Sequence, residues 1–369
     1  MISGTDATGT EILTAAPICA PGPAPQGSRP SPGGLSLPPE ARPLVERLAV
    51  GGWDALPPGV RLAGGHLHDV RRIDFSGVVL IAKRVACGPA WPGRVHRLEQ
   101  GEEVARLAAA EGLSAVPAYL VDRSPVIEVP GGAVLLFPDI PGEPPLPQSK
   151  GPDIADCQWA GRTLAGLHRL PMSPAFTAEG ALWPVTPPEH WPALLAAAPD
   201  LAGEAGLLAL WSRRYAEALP RLSSTVAVGH GDFAPRNVLV SGGSRRIVDW
   251  EHAGPVEPST EFAVVALDWS RNPDGQVDAD AFAAVLDGYV AAAPSQERPS
   301  PVGLVGRAGR LMAWTRFNLA QAAEHGPHPF VERAGLALTE LRLQLDNETT
   351  WTDWYRAPAR PGPTVLINQ

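Results

Sequence analysis

The chain has 369 residues, of which 44% are hydrophobic, with a net charge of −9 and three cysteines. That length holds one two-lobed domain or two small ones, with enough apolar content for a sizeable core. The acidic balance argues against nucleic acid as the main partner. Cys19, Cys87 and Cys157, far apart and odd in number, fit neither a disulfide framework nor a zinc site and suit a reducing cytosol.

The first twenty residues lack a basic segment followed by a long apolar run, so no signal peptide is expected, and no stretch reaches the length of a membrane span. Residues 1–38 are rich in Pro, Gly, Ser and Thr and read as a disordered tail. Residues 39–49 form a short amphipathic helix. From 59 to 85 the pattern alternates as strands around turns, at 60–62, 70–73 and 78–85. Gly64-Gly65, in one of those turns, lets backbone approach a nucleotide phosphate, a role shared with any ordinary hairpin. Only two of the 30 basic residues are lysines, Lys83 and Lys150. Where arginine is the default cation, a lysine marks a place for compact charge. Lys83 shares a strand face with Val79, Ile81 and Val85. A cation on an apolar face is costly unless it meets an anion.

Residues 96–111 have strong helix propensity, with Glu103, Leu107 and Ala110 on one face and a stop at Gly112. Strands are expected at 118–121, 126–129 and 133–137. The last runs into the Pro-rich segment Pro138-Asp139-Ile140-Pro141-Gly142. Residues 153–170 form a helix striped by Ile154, Cys157, Gly161, Leu164 and Leu167. The segment 171–225 carries Trp183, Trp191 and Trp211, which suit core packing or the wall of a substrate pocket.

The most informative stretch is His230-Gly231-Asp232-Phe233-Ala234-Pro235-Arg236-Asn237-Val238-Leu239-Val240, followed by a Gly-Gly turn and a second short strand into Asp249-Trp250-Glu251. Two β-type runs joined by a short glycine loop read as a hairpin. With its centre at Gly243, Asn237 and Asp249 become cross-strand neighbours with Cβ atoms about 5 Å apart. An amide oxygen and a carboxylate so placed can share one hard cation, and Mg²⁺ suits them when it also binds phosphates. Asp232 is then left to accept a proton. Two helices follow, striped by Met312, Thr315, Leu319 and Ala322 and by Val331, Ala334, Leu338, Leu341 and Leu345. A C-terminal tail is expected from 351, Pro-rich over 355–369.

An Asp five residues before an Asn, with a hairpin leading to a second Asp, is what phosphoryl transfer asks of a protein: positioned oxygens and neutralised charge. The His-Gly-Asp opening at 230–232 and the Asp-Trp-Glu ending at 249–251 resemble the aminoglycoside phosphotransferase and choline kinase-like superfamily. The resemblance covers about 60–350 and is strong at 228–251. It implies an α+β, two-lobed protein kinase-like fold, with a nucleotide-binding lobe at 39–140 and a catalytic and acceptor-binding lobe at 141–350. It also implies that Lys83, held by Glu103 (with Glu99 and Glu102 as alternatives), orients the phosphates of ATP or GTP. Gly64, Gly65, Phe137, Asp139, Ile140 and Leu239 would contribute to the nucleotide site. Asn237 and Asp249 would bind Mg²⁺, Asp232 would act on the acceptor hydroxyl, and His230 would fix the loop. Where the superfamily usually braces that loop with an Asp, this chain has Glu261. The acceptor is expected to be a hydroxylated small molecule such as an antibiotic, or else a Ser/Thr of a precursor peptide. A non-catalytic binding module is the remaining reading, and no membrane partner is expected.

Overall fold

Strand alternation decides what lies on each side of the N-terminal sheet. In the computed structural model, residues 34–62, 68–86, 93–140, 142, 151–173, 176, 181–222, 224–293 and 298–356 are described. Strands β1 (Gly59–Arg61), β2 (Asp69–Phe75), β3 (Val78–Ala86), β4 (Ile127–Val129) and β5 (Gly132–Pro138) form one antiparallel sheet in the order β1-β2-β3-β5-β4. One face carries Ile73, Leu80, Ala82, Val134 and Leu136, and it packs on Leu44 and Leu48 of α1 (Arg42–Gly51). The other carries Val85, Ala133 and Leu135 and meets Leu98 of α2 (Arg94–Ala110). Lys83 pairs with Leu135 and has the parity of this second face, as a period of two requires.

The strand expected at 118–121 is not one. Leu120 makes a single bridge to Ser36, and Val121 closes at once onto Ser124. The two residues between, Asp122 and Arg123, have φ of 49° and 79°, so a tight turn uses up the length that a ladder would need. The bridge also brings residues 35–37, expected in the tail, onto the fold: Leu120 N–H donates to Leu35 and Leu37 N–H to Leu120.

The C-terminal lobe is mainly helical: α3 (Ile154–Leu167), α4 (Trp191–Leu195), α5 (Ala205–Leu222), α6 (Pro258–Trp269), α7 (Ala279–Ala292), α8 (Val302–His325) and α9 (Phe330–Arg356). Two small ladders sit among them, β6 (Ala227–Gly229) with β9 (Gly254–Val256), and β7 (Val238–Ser241) with β8 (Ser244–Ile247). Trp191 and Trp211 are fully buried in a core shared by α5, α8 and α9, so they pack rather than line a pocket. The chain does not become a tail at 351. Trp351 and Tyr355 are buried, and Tyr355 lies edge-on to Phe262 and Phe282 at 5.7 and 5.3 Å. Among the described residues no helix is long and apolar enough to cross a membrane.

Candidate active site

The turn between β7 and β8 consists of Gly242 and Gly243, both at positive φ (54° and 78°), the conformation that two-residue hairpins favour. It sets the register one residue away from the expected one. Val238 pairs with Ile247, and Val248 N–H donates to the Asn237 carbonyl at 2.9 Å. Asn237 therefore faces Val248, and Asp249 lies beyond the ladder. A slip of one residue reverses the side a residue faces. Asp249 itself adopts φ 67°, an uncommon conformation for a residue with a Cβ. Its carboxylate meets the other lobe: Lys83 Nζ donates to Asp249 Oδ1 at 2.5 Å.

Lys83 has a second carboxylate partner, Glu251, at 3.1 Å. The Glu251 side chain is only 7% exposed and also pairs with His68 at 2.9 Å. Burial alone would lower the Lys83 pKa, but the two carboxylates outweigh it and hold it above its ordinary value. Glu251 is held far below the usual carboxylate range: burial opposes this, and His252, His68 and Lys83 prevail. Glu103 is not the carboxylate that holds Lys83, because it points out of the lobe to accept from Ser173 Oγ at 3.0 Å. Of the three candidates on α2, Glu102 is the buried one. It accepts from Ala118 N–H at 2.6 Å, and burial pushes its pKa up to about 7. Glu99 accepts from Ser124 Oγ.

α2 reaches the Asp249 segment without a gap. A Cβ on Gly101 would come within 2.1 Å of the Trp250 carbonyl oxygen. Phe137 pairs with Ile81 on the sheet. Beyond β5, the Asp139 carboxylate accepts from Arg72 Nε and Nη2 at 3.0 and 2.8 Å. No backbone acceptor among the described residues takes the Asp139 or Ile140 N–H. Leu239 lies below this connection, 3.2 Å from where a Cβ on Gly142 would stand. Gly64 and Gly65 lie outside the described residues.

The loop carrying Asp232 is braced from several sides. Asn237 Nδ2 donates to the Asp232 carbonyl at 2.8 Å and to Asp232 Oδ2 at 2.9 Å. His230 is fully buried, with Nε2 toward the Val248 carbonyl and Nδ1 toward the Asp232 N–H. Burial lowers its pKa, and Nδ1, as acceptor of the Asp232 N–H, carries no proton. Glu261 does reach the loop: Oε1 accepts from Gly231 N–H at 2.7 Å, and Oε2 pairs with His168 Nε2 at 2.8 Å. Space for this longer acid comes from Gly229, where a Cβ would lie 2.0 Å from Glu261 Oε2.

Sequence reasoning did not foresee the surroundings of Asp232. Oδ1 accepts from Arg236 Nη2 at 2.6 Å and from Arg310 Nη2, on α8, at 2.9 Å. Burial would raise this carboxyl's pKa, but Arg310 and Arg236 drive it well below the ordinary range. Asp232 is thus a clamped acceptor of hydrogen bonds, not an unengaged base. The signal for Arg236 was present, four residues from Asp232. Nothing local pointed to Arg310.

The donor set at Asn237 and Asp249 fits Mg²⁺. The Asn237 amide spends its nitrogen on Asp232, leaving its carbonyl oxygen. Asp249 bonds Lys83 through Oδ1, leaving Oδ2. Both are hard oxygens, of the kind that bind Mg²⁺ together with substrate phosphates. Among the described residues no three His, Cys, Asp or Glu are grouped to hold a metal by themselves.

The phosphotransferase enzyme family (APH) model matches residues 60–295. No curated protein matches the sequence. A spectinomycin phosphotransferase solved with ADP and spectinomycin superposes with a TM-score of 0.58 at 10% identity, over 82% of this chain and 93% of that one. A choline/ethanolamine kinase family protein from Mesorhizobium loti gives 0.51 at 19%, over 84% and 95%. An ethanolamine kinase from Plasmodium vivax gives 0.53 at 11%, over 78% and 83%. These likenesses show the two-lobed kinase-like fold. The family match runs from β1 through α7 and takes in both the Lys83 strand and the Asp232 loop: the chain belongs to the phosphotransferase enzyme family.

Proposed function

We propose that this protein moves the γ-phosphate of ATP or GTP onto a hydroxyl of a small molecule, an antibiotic or another natural product. One observation carries the reading. Asp232 and Asn237 are locked together on one loop, and Lys83 of the sheet lobe reaches Asp249 just beyond the hairpin that Asn237 opens. The crystallised spectinomycin phosphotransferase, with its ADP and its hydroxylated ligand, supports the same choice.

In this mechanism the sheet lobe holds the nucleotide, with Phe137 and Leu239 on either side of the base and a backbone N–H of Asp139 or Ile140 available to its edge. Lys83 exchanges a carboxylate partner for phosphate oxygens. Asn237 and Asp249 would hold Mg²⁺, which would supply charge neutralisation on the phosphates. Asp232 accepts a hydrogen bond from the acceptor hydroxyl and aims its oxygen at the phosphorus. A carboxylate held so far toward its anionic form is a weak base. That suffices where the transition state is loose and the proton leaves late.

The test uses the full chain with Mg²⁺ and each nucleotide against a panel of hydroxylated natural products and a set of Ser/Thr peptides, with products read by mass spectrometry. The expected result is a phosphorylated small molecule. Asp232→Ala is expected to lower kcat about 10²–10⁴-fold while nucleotide affinity stays within about threefold. Wild-type turnover in Asp232→Ala would exclude the assignment, and phosphopeptide alone would move the acceptor to the peptide class.

A further inference from the structure

The acceptor's chemistry can be read from the charges around Asp232, granting the phosphotransferase reading above. Helix α8 lies against the N-terminal turn of α6 because Gly303 and Gly306 leave room for it. A Cβ at either would lie 2.0 Å from the Ser259 carbonyl or 1.8 Å from Thr260 Oγ1. That contact brings Arg310 to Asp232. Arg236 donates to the same Asp232 oxygen, Oδ1. The next arginines along this wall, Arg271 and Arg307, share one carboxylate oxygen, Glu340 Oε2, at 2.7 and 2.6 Å.

Asp268, on α6, is a further carboxyl near these arginines. No described residue donates a hydrogen bond to it. Burial pushes its pKa up, against the opposing influence of Arg307, Arg236 and Arg310. At Asp232 itself two guanidiniums therefore meet one carboxylate oxygen, although the chain as a whole is at −9. Both guanidiniums on Asp232 can be reached from solvent, with side-chain exposures of 27% for Arg310 and 59% for Arg236. One turn along α8 from Arg310, Trp314 is exposed and stacks on Phe317 at 5.5 Å. This gives an apolar surface beside the guanidinium.

We propose that the acceptor carries an anionic group, a carboxylate or a phosphate, beside the hydroxyl to be phosphorylated, and that Arg310, with Arg236, binds that anion. A guanidinium bound to a carboxylate keeps further N–H donors for a second planar anion. The anion would give the two guanidiniums a second negative partner beside Asp232 and set the hydroxyl over it, while Trp314 covers the apolar part of the molecule. A cationic acceptor, such as a polyamine sugar or a quaternary ammonium alcohol, finds repulsion here.

The test is a set of matched probes offered to the full chain: hydroxybenzoates against their methyl esters, sugar phosphates against the free sugars, and aminoalcohols. Two readouts are taken, equilibrium binding in the presence of ADP, followed by Trp fluorescence and by ligand-observed NMR, and phosphoryl transfer from Mg-ATP. The anionic member of a pair is expected to bind about tenfold tighter than its neutral counterpart. The carboxylate and phosphate pairs tell which anion is preferred. In Arg310→Gln that ratio is expected to collapse toward one, with Arg310→Lys restoring part of it. A purely structural Arg310 would weaken both members alike and leave the ratio unchanged, which overturns the proposal, as does preference for neutral or cationic probes. Loss of transfer to every probe, with the anion preference in binding intact, would remove the kinase reading and leave the anion site standing.

Discussion

Two charged clusters of the candidate site are built in opposite ways. On the proposed nucleotide side one ammonium, Lys83, is held between two carboxylates, Asp249 and Glu251. On the proposed acceptor side one carboxylate, Asp232, is held between two guanidiniums. Each cluster is tied together by charge-assisted hydrogen bonds, but their counts differ. At Lys83 a second cation, Arg94, reaches Glu251 at 3.7 Å, so two cations meet two carboxylates. At Asp232 two guanidiniums meet one carboxylate. The direct contacts balance at the first cluster and leave positive charge over at the second.

The comparison is broken most severely on the nucleotide side. Asp249→Ala removes a proposed metal oxygen and leaves Lys83 with Glu251 alone. Single-turnover transfer is expected to fall by at least about 10³-fold. The Kd for Mg-nucleotide should rise while the Kd for acceptor probes stays within about threefold. Arg310→Gln should show the reverse pattern. If both variants lose both ligands, the two clusters act as one.

A middle-sized effect is expected at the brace beneath the acceptor side. Gly229→Ala puts a methyl against Glu261, costing about 1–3 kcal/mol in thermal or denaturant unfolding and lowering kcat more than it raises KM. Shortening the acid in the double variant Gly229→Ala/Glu261→Asp should recover more than half of that loss. No recovery would mean that Glu261 is not the group in the way.

The smallest effect is a slope. Glu102, buried on α2, has a folded pKa of about 7 against an ordinary 4.5. The folded state therefore binds more protons than the unfolded state between those values. Its contribution is fully present below pH 4.5 and is lost as pH rises through 7, up to about 3 kcal/mol. Glu102→Gln cannot titrate, so its stability between pH 5 and 7.5 should fall less steeply than that of the wild type. Parallel profiles in guanidinium melts at several pH values would count against a shifted Glu102.

The elements were legible in the sequence wherever period or turn chemistry was local. The lysine on an apolar strand face, the 3.6-residue stripes of α8 and α9, and the Gly-Gly hairpin each need only a short window. The register of that hairpin was missed by one residue, because glycines at both turn positions leave the centre open to either reading. Residues 118–121 misled because a strand-like composition gives way at once to a turn with two residues at positive φ. The boundary at 351 failed because composition alone does not reveal that Trp351 and Tyr355 meet Phe262 and Phe282. Charge partnerships were the least legible. Arg310 is 78 residues from Asp232 in sequence, and Glu251 was visible only as the end of a motif. The choice among Glu99, Glu102 and Glu103 turned on helix rotation, and adjacent residues on a helix differ by about 100°.

The contact at Gly101 has a mechanical consequence. Helix and peptide already touch there, so the helix has no slack to tilt inward over the cleft. A closing motion of the upper lobe must drag the Trp250 peptide with it or glide along it. Either way the neighbouring Asp249 is displaced in the same stroke. The proposed grip on the nucleotide and the proposed metal carboxylate are thereby geared to a single movement, and the absence of one methyl group is what lets the teeth mesh.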